Sequence, residues 1–424
     1  MTELANLFIF PEIGTRSVFS DLLTSFIFAY PFVTSVLWSL SGLFYLLGRW
    51  FTPSPRGLAR PLARYSVVIP FHAEPDGALA TARSLDLVTP PPEEIVIVDD
   101  GSPVPIHPDT ALPPGTRIVR LNRNRGKAGA LQYVLPGIAT EIVVCMDADT
   151  QNGSPDWSGM LRAFNDPALA AVTGKIRPKS GGGLVEWFQA LDYLTVIAVI
   201  KAAESAWGGL LTVSGAFTAY RVSAVRAVGG WSAASSTEDI DASWRLQAAG
   251  WRLAFESDWT SQVEMAPTVP ALWRQRRRWS AGLGRALRDH GVTSLLASAR
   301  HLPILVVTLA SLAWMISVLG LGVLLMLDTL GLSTPVPHIG WGHIVLLFVA
   351  GLTAFYTQLG TALAVDGQGF WVHWRSMLLA PFYPAYFWAI LLTSFLAGFP
   401  KGCLRLDKGN WKRTQRRIEA GVAA

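Results

Sequence analysis

The chain has 424 residues, of which 51% are hydrophobic and only 15% are charged. This length exceeds that of one average domain, and the charged fraction lies well below the roughly 25% typical of soluble domains. The composition therefore excludes a chain that is water-soluble throughout, and it indicates that part of the chain is solvated by lipid.

The formal net charge is +5 at pH 7, a balance that fits nucleic acid, an anionic membrane surface or a phosphorylated substrate. No basic stripe with interleaved aromatic residues occurs in the sequence, which argues against a nucleic-acid partner. Much of the positive charge lies beside apolar segments and near the C-terminus, and this favours membrane lipid headgroups. The C-terminal cations are Lys401, Arg405, Lys408, Lys412, Arg413, Arg416 and Arg417.

The first apolar block covers residues 26–47, which is long enough to cross roughly 30 Å of hydrocarbon as a helix. Because positive charge concentrates on the cytoplasmic side of membrane segments, the cations that follow this block place the chain from residue 50 onward in the cytoplasm. Residues 1–50 are therefore predicted to form an N-terminal transmembrane or interfacial segment. The cations are Arg49, Arg56, Arg60 and Arg64.

Residues 60–290 have the pattern of an α/β domain. Short apolar runs that read as buried strands alternate with polar or helical stretches, which predicts a mostly parallel sheet with helices on both faces. Such sheets bind ligands at the carboxyl ends of their strands, and here those ends carry acidic and polar side chains. The runs are 65-YSVVIPF-71, 94-EIVIVDD-100, 116-TRIVRL-121 and 141-EIVVCMDAD-149.

Three further apolar blocks follow within residues 297–400, at 302–327, 343–365 and 377–399, and each is long enough to cross a bilayer. Three crossings would leave the basic tail, residues 401–424, outside the cell. Pro381 and Pro384 interrupt the last block, so a broken or re-entrant segment that returns the tail to the cytoplasm is the alternative. The sequence leaves both open.

Two acidic motifs follow predicted strands. In 98-VDDGS-102, Asp99 and Asp100 stand in a tight turn above the sheet, where Asp100 is placed to accept a hydrogen bond from a pyrimidine N–H; an acidic turn is the ordinary alternative. In 147-DAD-149, alternation sends both carboxylates to one face, where they can hold a hard divalent cation such as Mg²⁺ or Mn²⁺. A lone D-x-D also occurs as a simple turn.

Lys127 lies at the predicted helix start in 122-NRNRGKAGAL-131, where a helix N-terminus and a cation favour a diphosphate. An exposed basic loop explains this stretch equally well. In 237-TEDIDASWRL-246, Glu238 and Asp239 suit the positive end of a helix, and Asp239 is also a candidate general base.

A basic, amphipathic stretch at 266–295 is predicted to be an interfacial helix that carries 275-QRRRW-279. In it, Arg278 is a candidate partner of the pyrophosphate and Trp279 a candidate for stacking on a sugar. Interfacial arginine and tryptophan are common without such a role.

Together these motifs, in the order P-F-H-A-E, V-D-D-G-S, D-A-D, V-S-G-A-F, T-E-D and Q-R-R-R-W, resemble the processive family 2 glycosyltransferases. These are the synthases of cellulose, chitin, hyaluronan and poly-N-acetylglucosamine. The runs 212–232, 237–247 and 272–279 look most like the bacterial poly-β-1,6-N-acetylglucosamine synthases. The resemblance implies an α/β GT-A-type, Rossmann-like cytoplasmic domain joined to a membrane α-helical domain.

Residue roles follow from the resemblance by position. It implies that Asp99 and Asp100 contact uracil, that Asp147 contacts the nucleotide and that Asp149, with Asp147, holds Mg²⁺ or Mn²⁺. It also implies that Asp239 is the catalytic base, with Glu238 beside it. The other substrate-binding residues of the set are Glu74, Lys127, Ser214, Gly215, Gln275, Arg278 and Trp279.

The resemblance further implies an inverting enzyme that polymerises a sugar from a UDP-sugar, most closely poly-N-acetylglucosamine, and exports the chain through its membrane helices. A small membrane accessory subunit is a further implied partner. A glycolipid synthase, a synthase of another β-glycan and a catalytically silent nucleotide-sugar sensor remain alternatives. The donor sugar, the linkage and the side of the C-terminus stay open.

Overall fold

The computed structural model describes residues 18–51, 62–179, 183–297, 302–332, 341–367 and 374–406. The predictions for residues 1–17, for the arginines at 56 and 60, and for the basic tail beyond residue 406 lie outside this set. Within it, an α/β domain carries an eight-stranded sheet, and long helices precede and follow that domain.

The strand order in the sheet is β3-β2-β1-β4-β7-β6-β8-β5. The predicted strands are confirmed as β1, β2, β3 and β4, which pair in parallel. The other half of the sheet is mixed, because β7 pairs antiparallel with both β4 and β6, whereas β6 and β8 are parallel. The strands are Tyr65–Phe71 (β1), Glu94–Asp99 (β2), Thr116–Arg120 (β3), Ile142–Met146 (β4), Thr150–Asn152 (β5), Leu169–Pro178 (β6), Phe217–Arg221 (β7) and Arg252–Val263 (β8).

Helices cover both faces of the sheet, as predicted. In chain order, the helices of the described residues are α1 (Val18–Phe51), α2 (Pro75–Arg83), α3 (Gly126–Val134), α4 (Ser158–Ala163), α5 (Leu184–Leu191), α6 (Val199–Trp207), α7 (Val222–Ala227), α8 (Glu238–Ala248), α9 (Val269–Ala297), α10 (Leu302–Thr329), α11 (Trp341–Asp366), α12 (Trp374–Met377) and α13 (Tyr383–Cys403). Helices α3, α6 and α8 pack on one face and α2 and α4 on the other. A π-helical segment, Asp192–Ala198, joins α5 to α6, and 3₁₀ turns lie at Leu135–Gly137 and Ala380–Phe382.

Alternation along β1 and β4 builds two cores. Val68 and Cys145 face one core, which contains α3, α6 and α8, whereas Val67 and Val144 face the other, which contains α2 and α4. Because successive side chains of a strand point to opposite faces, a strand that is buried on both sides must be apolar at every position. This is why these strands appear in the sequence as continuous apolar runs.

Four helices are long and apolar enough to cross a membrane among the described residues: Leu22–Gly48, Leu302–Thr329, Phe348–Asp366 and Ala380–Cys403. They correspond to the four apolar blocks of the sequence. The last block is broken at its start, as its prolines predict, because α12 ends at Met377 and a 3₁₀ turn precedes α13. The stretch predicted to be an interfacial helix forms the helix α9.

A buried ion pair joins the membrane helices to the sheet. The Lys175 ammonium on β6 lies 3.2 Å from the carboxylate of Asp366, the last residue of α11, and Arg177 lies 3.1 Å from the same carboxylate. Lys175 and Asp366 are both buried. Separating them would leave an unpaired charge in a low-dielectric place, so this contact fixes the end of α11 on the α/β domain.

Candidate active site

The charged side chains of the site converge on Lys127, near the start of α3. Its Nζ lies 2.6 Å from Oδ1 of Asp147 and 2.8 Å from Oε1 of Glu238, and it donates a 2.8 Å hydrogen bond to the carbonyl of Gly215. Asp147 follows β4, Glu238 begins α8 and Gly215 precedes β7. Four separate elements therefore meet at one ammonium group.

The electrostatics of this cluster favour the charged forms of Lys127 and Glu238. Burial lowers the pKa of Lys127, but the carboxylates of Asp147, Glu238 and Asp239 outweigh burial, and the net pKa is raised. For Glu238, burial raises the pKa, while Lys127 and then Arg278 bring it below its ordinary value. The sequence predicted Lys127 as a diphosphate contact. The structure makes it the counter-ion of the site's carboxylates.

The pKa of Asp239 is shifted in the direction opposite to that of Glu238. Burial and the neighbouring Glu238 raise its pKa, and Lys127 and Arg278 offset this only in part. Its Oδ2 accepts a 2.9 Å hydrogen bond from the Gly215 amide, and its Oδ1 accepts one of 2.9 Å from Ile240. Two backbone donors thus orient a carboxylate that holds its proton more strongly than an ordinary aspartate.

Gly215 is placed where an added side chain would crowd the charged groups of the cluster. A Cβ at this position would lie 2.9 Å from Asp239 Oδ2, 3.0 Å from Lys127 Nζ and 3.1 Å from Glu238 Oε1. The preceding residue, Ser214, donates its backbone N–H to Thr173 Oγ1 at 2.9 Å. With glycine at residue 215, the backbone comes close enough for its carbonyl to accept from Lys127 and its amide to donate to Asp239.

Helix α9 closes one side of the cluster. Arg278 donates a 3.0 Å hydrogen bond to the Ser236 carbonyl, next to the start of α8. Arg276 packs over the ring of Trp279 at 4.2 Å. The side-chain oxygen of Gln275 is buried, and no described residue donates to it. A buried acceptor of this kind is costly unless a ligand or water satisfies it.

These groups share a cavity of about 450 Å³, a volume within the usual range of ligand sites. One part of the lining is charged. Another part, formed by α6, the π-helical segment and α13, is mostly apolar, although Asp192, Lys201 and Glu204 also belong to it. The predicted site residues that line it are Lys127, Asp147, Asp149, Ser214, Gly215, Glu238, Asp239, Gln275, Arg278 and Trp279.

Three predicted residues do not line this cavity: Glu74, Asp99 and Asp100. Asp99 accepts from the Ser102 amide at 2.7 Å and pairs with Arg120 at 3.2 Å. Glu74 stands at the N-terminal boundary of α2. The contacts of Asp99 are those of the acidic turn that was the alternative interpretation of its motif.

Asp100 does not line the cavity, but it holds the loop that leads to Lys127. Its Oδ1 accepts a 2.7 Å hydrogen bond from the Arg125 amide, just before the helix that carries Lys127. Burial raises its pKa, and the Arg125 and Gly126 amides oppose the increase. Asp100 therefore fixes the loop that positions Lys127, whatever else it contacts.

The structure also brings in residues that the sequence motifs did not indicate. Asp192 accepts from Arg276 at 2.9 Å and from the Tyr383 hydroxyl at 2.6 Å. Lys201 and Glu204 are buried on α6 and line the cavity. The available signal was the presence of ionisable residues inside the apolar stretch 184–207, where charge is rare unless it is paired or functional.

Comparisons with known proteins agree with this geometry. A family model, described as glycosyl transferase family group 2, matches residues 142–400. Poly-beta-1,6-N-acetyl-D-glucosamine synthase of Staphylococcus epidermidis is 27% identical over 399 residues, covering 91% of this chain and 96% of the relative. The Staphylococcus aureus protein of the same name is 30% identical over 271 residues, covering 61% of this chain and 65% of the relative.

Among solved structures, a mannosyltransferase from Pyrobaculum calidifontis in complex with GDP-Man and Mn²⁺ is similar in fold. The TM-score is 0.52 at 19% identity, covering 90% of this chain and 98% of the mannosyltransferase. The predicted GT-A-type α/β fold is thereby confirmed. The family model spans more than half of the sequence and includes Asp147, Asp239 and the α9 motif. The chain therefore belongs to glycosyl transferase family group 2 and is a glycosyltransferase joined to membrane helices.

Proposed function

We propose that this chain is an inverting β-glycosyltransferase that polymerises N-acetylglucosamine from UDP-N-acetylglucosamine at the cytoplasmic face of the membrane and exports the polymer. The observation that carries the proposal is the partly buried Asp239 carboxylate, held by two amides beside Lys127 and Arg278 in a cavity that α13 also lines. The relatives named poly-beta-1,6-N-acetyl-D-glucosamine synthase support this choice of sugar.

In this proposal Asp239 removes the proton from an acceptor hydroxyl. The hydroxyl oxygen then attacks the anomeric carbon as the bond from that carbon to the diphosphate breaks, so one displacement inverts the configuration. Arg278 faces the departing diphosphate, to which its guanidinium can donate two hydrogen bonds. The side-chain oxygen of Gln275 accepts a hydrogen bond from the sugar that is being extended.

Asp147 and Asp149 are the residues that would hold a divalent cation. Both line the cavity, and no group of three or more ligating side chains occurs among the described residues. Two carboxylates fit Mg²⁺ or Mn²⁺ that completes its shell with diphosphate oxygens and water, as hard cations at nucleotide sites do. When bound, the ion would neutralise the charge that develops on the leaving diphosphate.

A glycolipid synthase is the second candidate. The cavity wall opposite the charged cluster is apolar, with Ile197 and Ile200 on one side and Ile390 and Leu391 of α13 on the other. Such a wall fits an acyl chain as well as the apolar face of a sugar ring. The length of the product separates the two candidates.

The purified protein in nanodiscs is expected to release UDP from UDP-N-acetylglucosamine faster than from other UDP-sugars. It is also expected to form a ladder of β-linked products, which gel electrophoresis and linkage analysis would resolve. A single organic-soluble product would favour the glycolipid synthase. Absence of UDP release with every donor, in protein that still binds UDP, would contradict both candidates.

Asp239→Asn is expected to reduce kcat about 100- to 10,000-fold, the range that general-base catalysis contributes. UDP binding, measured by calorimetry, should change little because the amide keeps the shape of the carboxylate. Asp241→Asn, two residues further along α8, is the matched control. Asp241 lies outside the cavity lining and pairs with Arg245 and His290, so this variant should retain activity.

The acidic limb of the kcat/KM pH profile should have its midpoint at a pH above about 3.9, which is the ordinary pKa of aspartate. The pKa of Asp239 is raised, and the base works only when ionised, so activity is lost as pH falls through that raised pKa. Removing the lysine charge in Lys127→Met should move this limb to still higher pH. A limb that does not respond to Lys127→Met would contradict the assignment of the base.

Asp149→Ala is expected to remove the metal-dependent part of UDP affinity, a loss of at least about tenfold, since even indirect partners of metal sites have such effects. Calorimetry with UDP in the presence of Mn²⁺ or of chelator measures it. Asp156→Ala, at an exposed position in the loop before α4, is the control. Equal metal-dependent gains in affinity for the Asp149→Ala variant and the unmodified protein would contradict the metal assignment.

A further inference from the structure

The segment 210–215 runs along the active-site cavity without forming a helix or a strand. It lies between the end of α6 and the start of β7, and residues 211–215 line the cavity. Leu210 and Val213 are fully buried. A buried backbone that has no helix or sheet partners must find its hydrogen bonds elsewhere, and in this segment side chains supply them.

Helix α8 supplies three of these side chains, each four residues after the one before. Asp239 accepts from the amide of the last residue of the segment, as described above. Ser243 accepts from the Val213 amide at 2.9 Å. Gln247 accepts from the Leu210 amide at 3.1 Å and donates to the Leu210 carbonyl at 2.8 Å. The segment therefore runs antiparallel to α8 and is bonded to it along its length.

The spacing of the three side chains places them on one face of α8. Residues four positions apart lie above one another on a helix, and each such step rises about 6 Å. Ser243 and Gln247 are buried, and the Ser243 hydroxyl also donates to the Asp239 carbonyl at 2.7 Å. The position of the segment is thus set by the same helix that carries the proposed base.

Helix α6 holds the segment from another side. Glu204 accepts from the Leu211 amide at 2.9 Å, and Lys201 donates to the Thr212 carbonyl. Both charged side chains are buried. Because the backbone is bonded to two helices, the segment cannot shift along α8 without breaking several of these bonds at once.

We propose that Ser243 and Gln247 are positioning residues for the transfer reaction, which fix the segment 210–215, and with it the acceptor, relative to Asp239. This inference rests on the proposed function, in which Asp239 deprotonates an acceptor hydroxyl that is held against the segment. Neither positioning residue lines the cavity, so each acts through the segment and not by contact with a substrate. What they set is the distance between the acceptor hydroxyl and the base.

Poor placement of the segment affects the acceptor more than it affects water. A misplacement of about 1 Å can reduce a rate on the order of 100-fold. Water does not depend on the segment to reach the anomeric carbon. Its oxygen bonds to that carbon as the bond to the diphosphate breaks, and Asp239 takes the proton, which yields free sugar and UDP. A loosened segment therefore shifts the outcome from transfer to hydrolysis.

Ser243→Ala and Gln247→Met remove the contacts with little change in side-chain volume. The full-length variants in nanodiscs are given the labelled donor that the unmodified protein uses, and incorporated sugar, free sugar and released UDP are measured together. The ratio of incorporated sugar to released UDP is expected to fall roughly 10- to 100-fold in both variants. UDP affinity, measured by calorimetry, is expected to stay at the value of the unmodified protein.

Two matched controls remove the same kinds of bonds from other buried positions. Gln189 accepts from the Ala266 amide at 3.1 Å and donates to the Ala266 carbonyl at 2.8 Å, as Gln247 does with its own partner. Ser154 accepts from the Thr260 amide and donates to the Asp258 carbonyl, both at 2.8 Å. Neither control residue lines the cavity. Gln189→Met and Ser154→Ala should therefore keep the ratio of the unmodified protein.

Incorporation and UDP release that fall together, at an unchanged ratio, would overturn the inference, as would an equal fall of the ratio in the controls. Loss of UDP binding in Ser243→Ala would also overturn it, because the hydroxyl would then only support the fold. If Gln247→Met does not bind UDP, Ser243→Ala decides alone. An unmodified protein that releases no UDP from any donor contradicts the proposed function instead, so the two failures are distinguishable.

Discussion

The site depends on placing one ammonium group among carboxylates that are far apart in the sequence. Lys127, Asp147 and Glu238 are each largely withdrawn from water, with at most 29% of any side chain exposed. Burying an isolated charge costs several kcal/mol, and a close partner recovers that cost only when the geometry is good. The lysine and the acids therefore require each other, and the turn after β4 and the starts of α3 and α8 are held in register by that requirement.

Because of this constraint, the acids of the cluster have different partners. Glu238 and Asp147 contact the lysine directly, whereas Asp239 bonds instead to the amides of Gly215 and Ile240. The pKa of Glu238 is consequently lowered and that of its neighbour Asp239 raised. Two adjacent carboxylates with opposite shifts can serve different roles, one as a permanent anion and one as a group that exchanges a proton. Chain order alone would not distinguish them.

The sequence predicted the parts of the fold that depend on local pattern. Strands such as β1 and β4 are buried on both faces, so their apolar runs are visible without any knowledge of the partner strands. Strand β6 is different, because Thr173 and Lys175 interrupt its pattern. Both are buried, and their partners lie far away in sequence: Ser214 and Thr218 for the threonine, and Asp366 for the lysine. Long-range pairing of this kind leaves no local signal, so that half of the sheet was not predicted.

The same distinction applies to the site. Motif order brought Asp147, Asp239 and Arg278 into one hypothesis, and the structure places all three around one cavity. Asp192 illustrates what motif order misses. It bonds to Arg276 of α9 and to Tyr383 of α13, so one carboxylate links two helices that line the cavity. Moving α13 would disturb Arg276, which packs on Trp279. Asp192 thus connects α13 to the charged end of the cavity through the α9 motif.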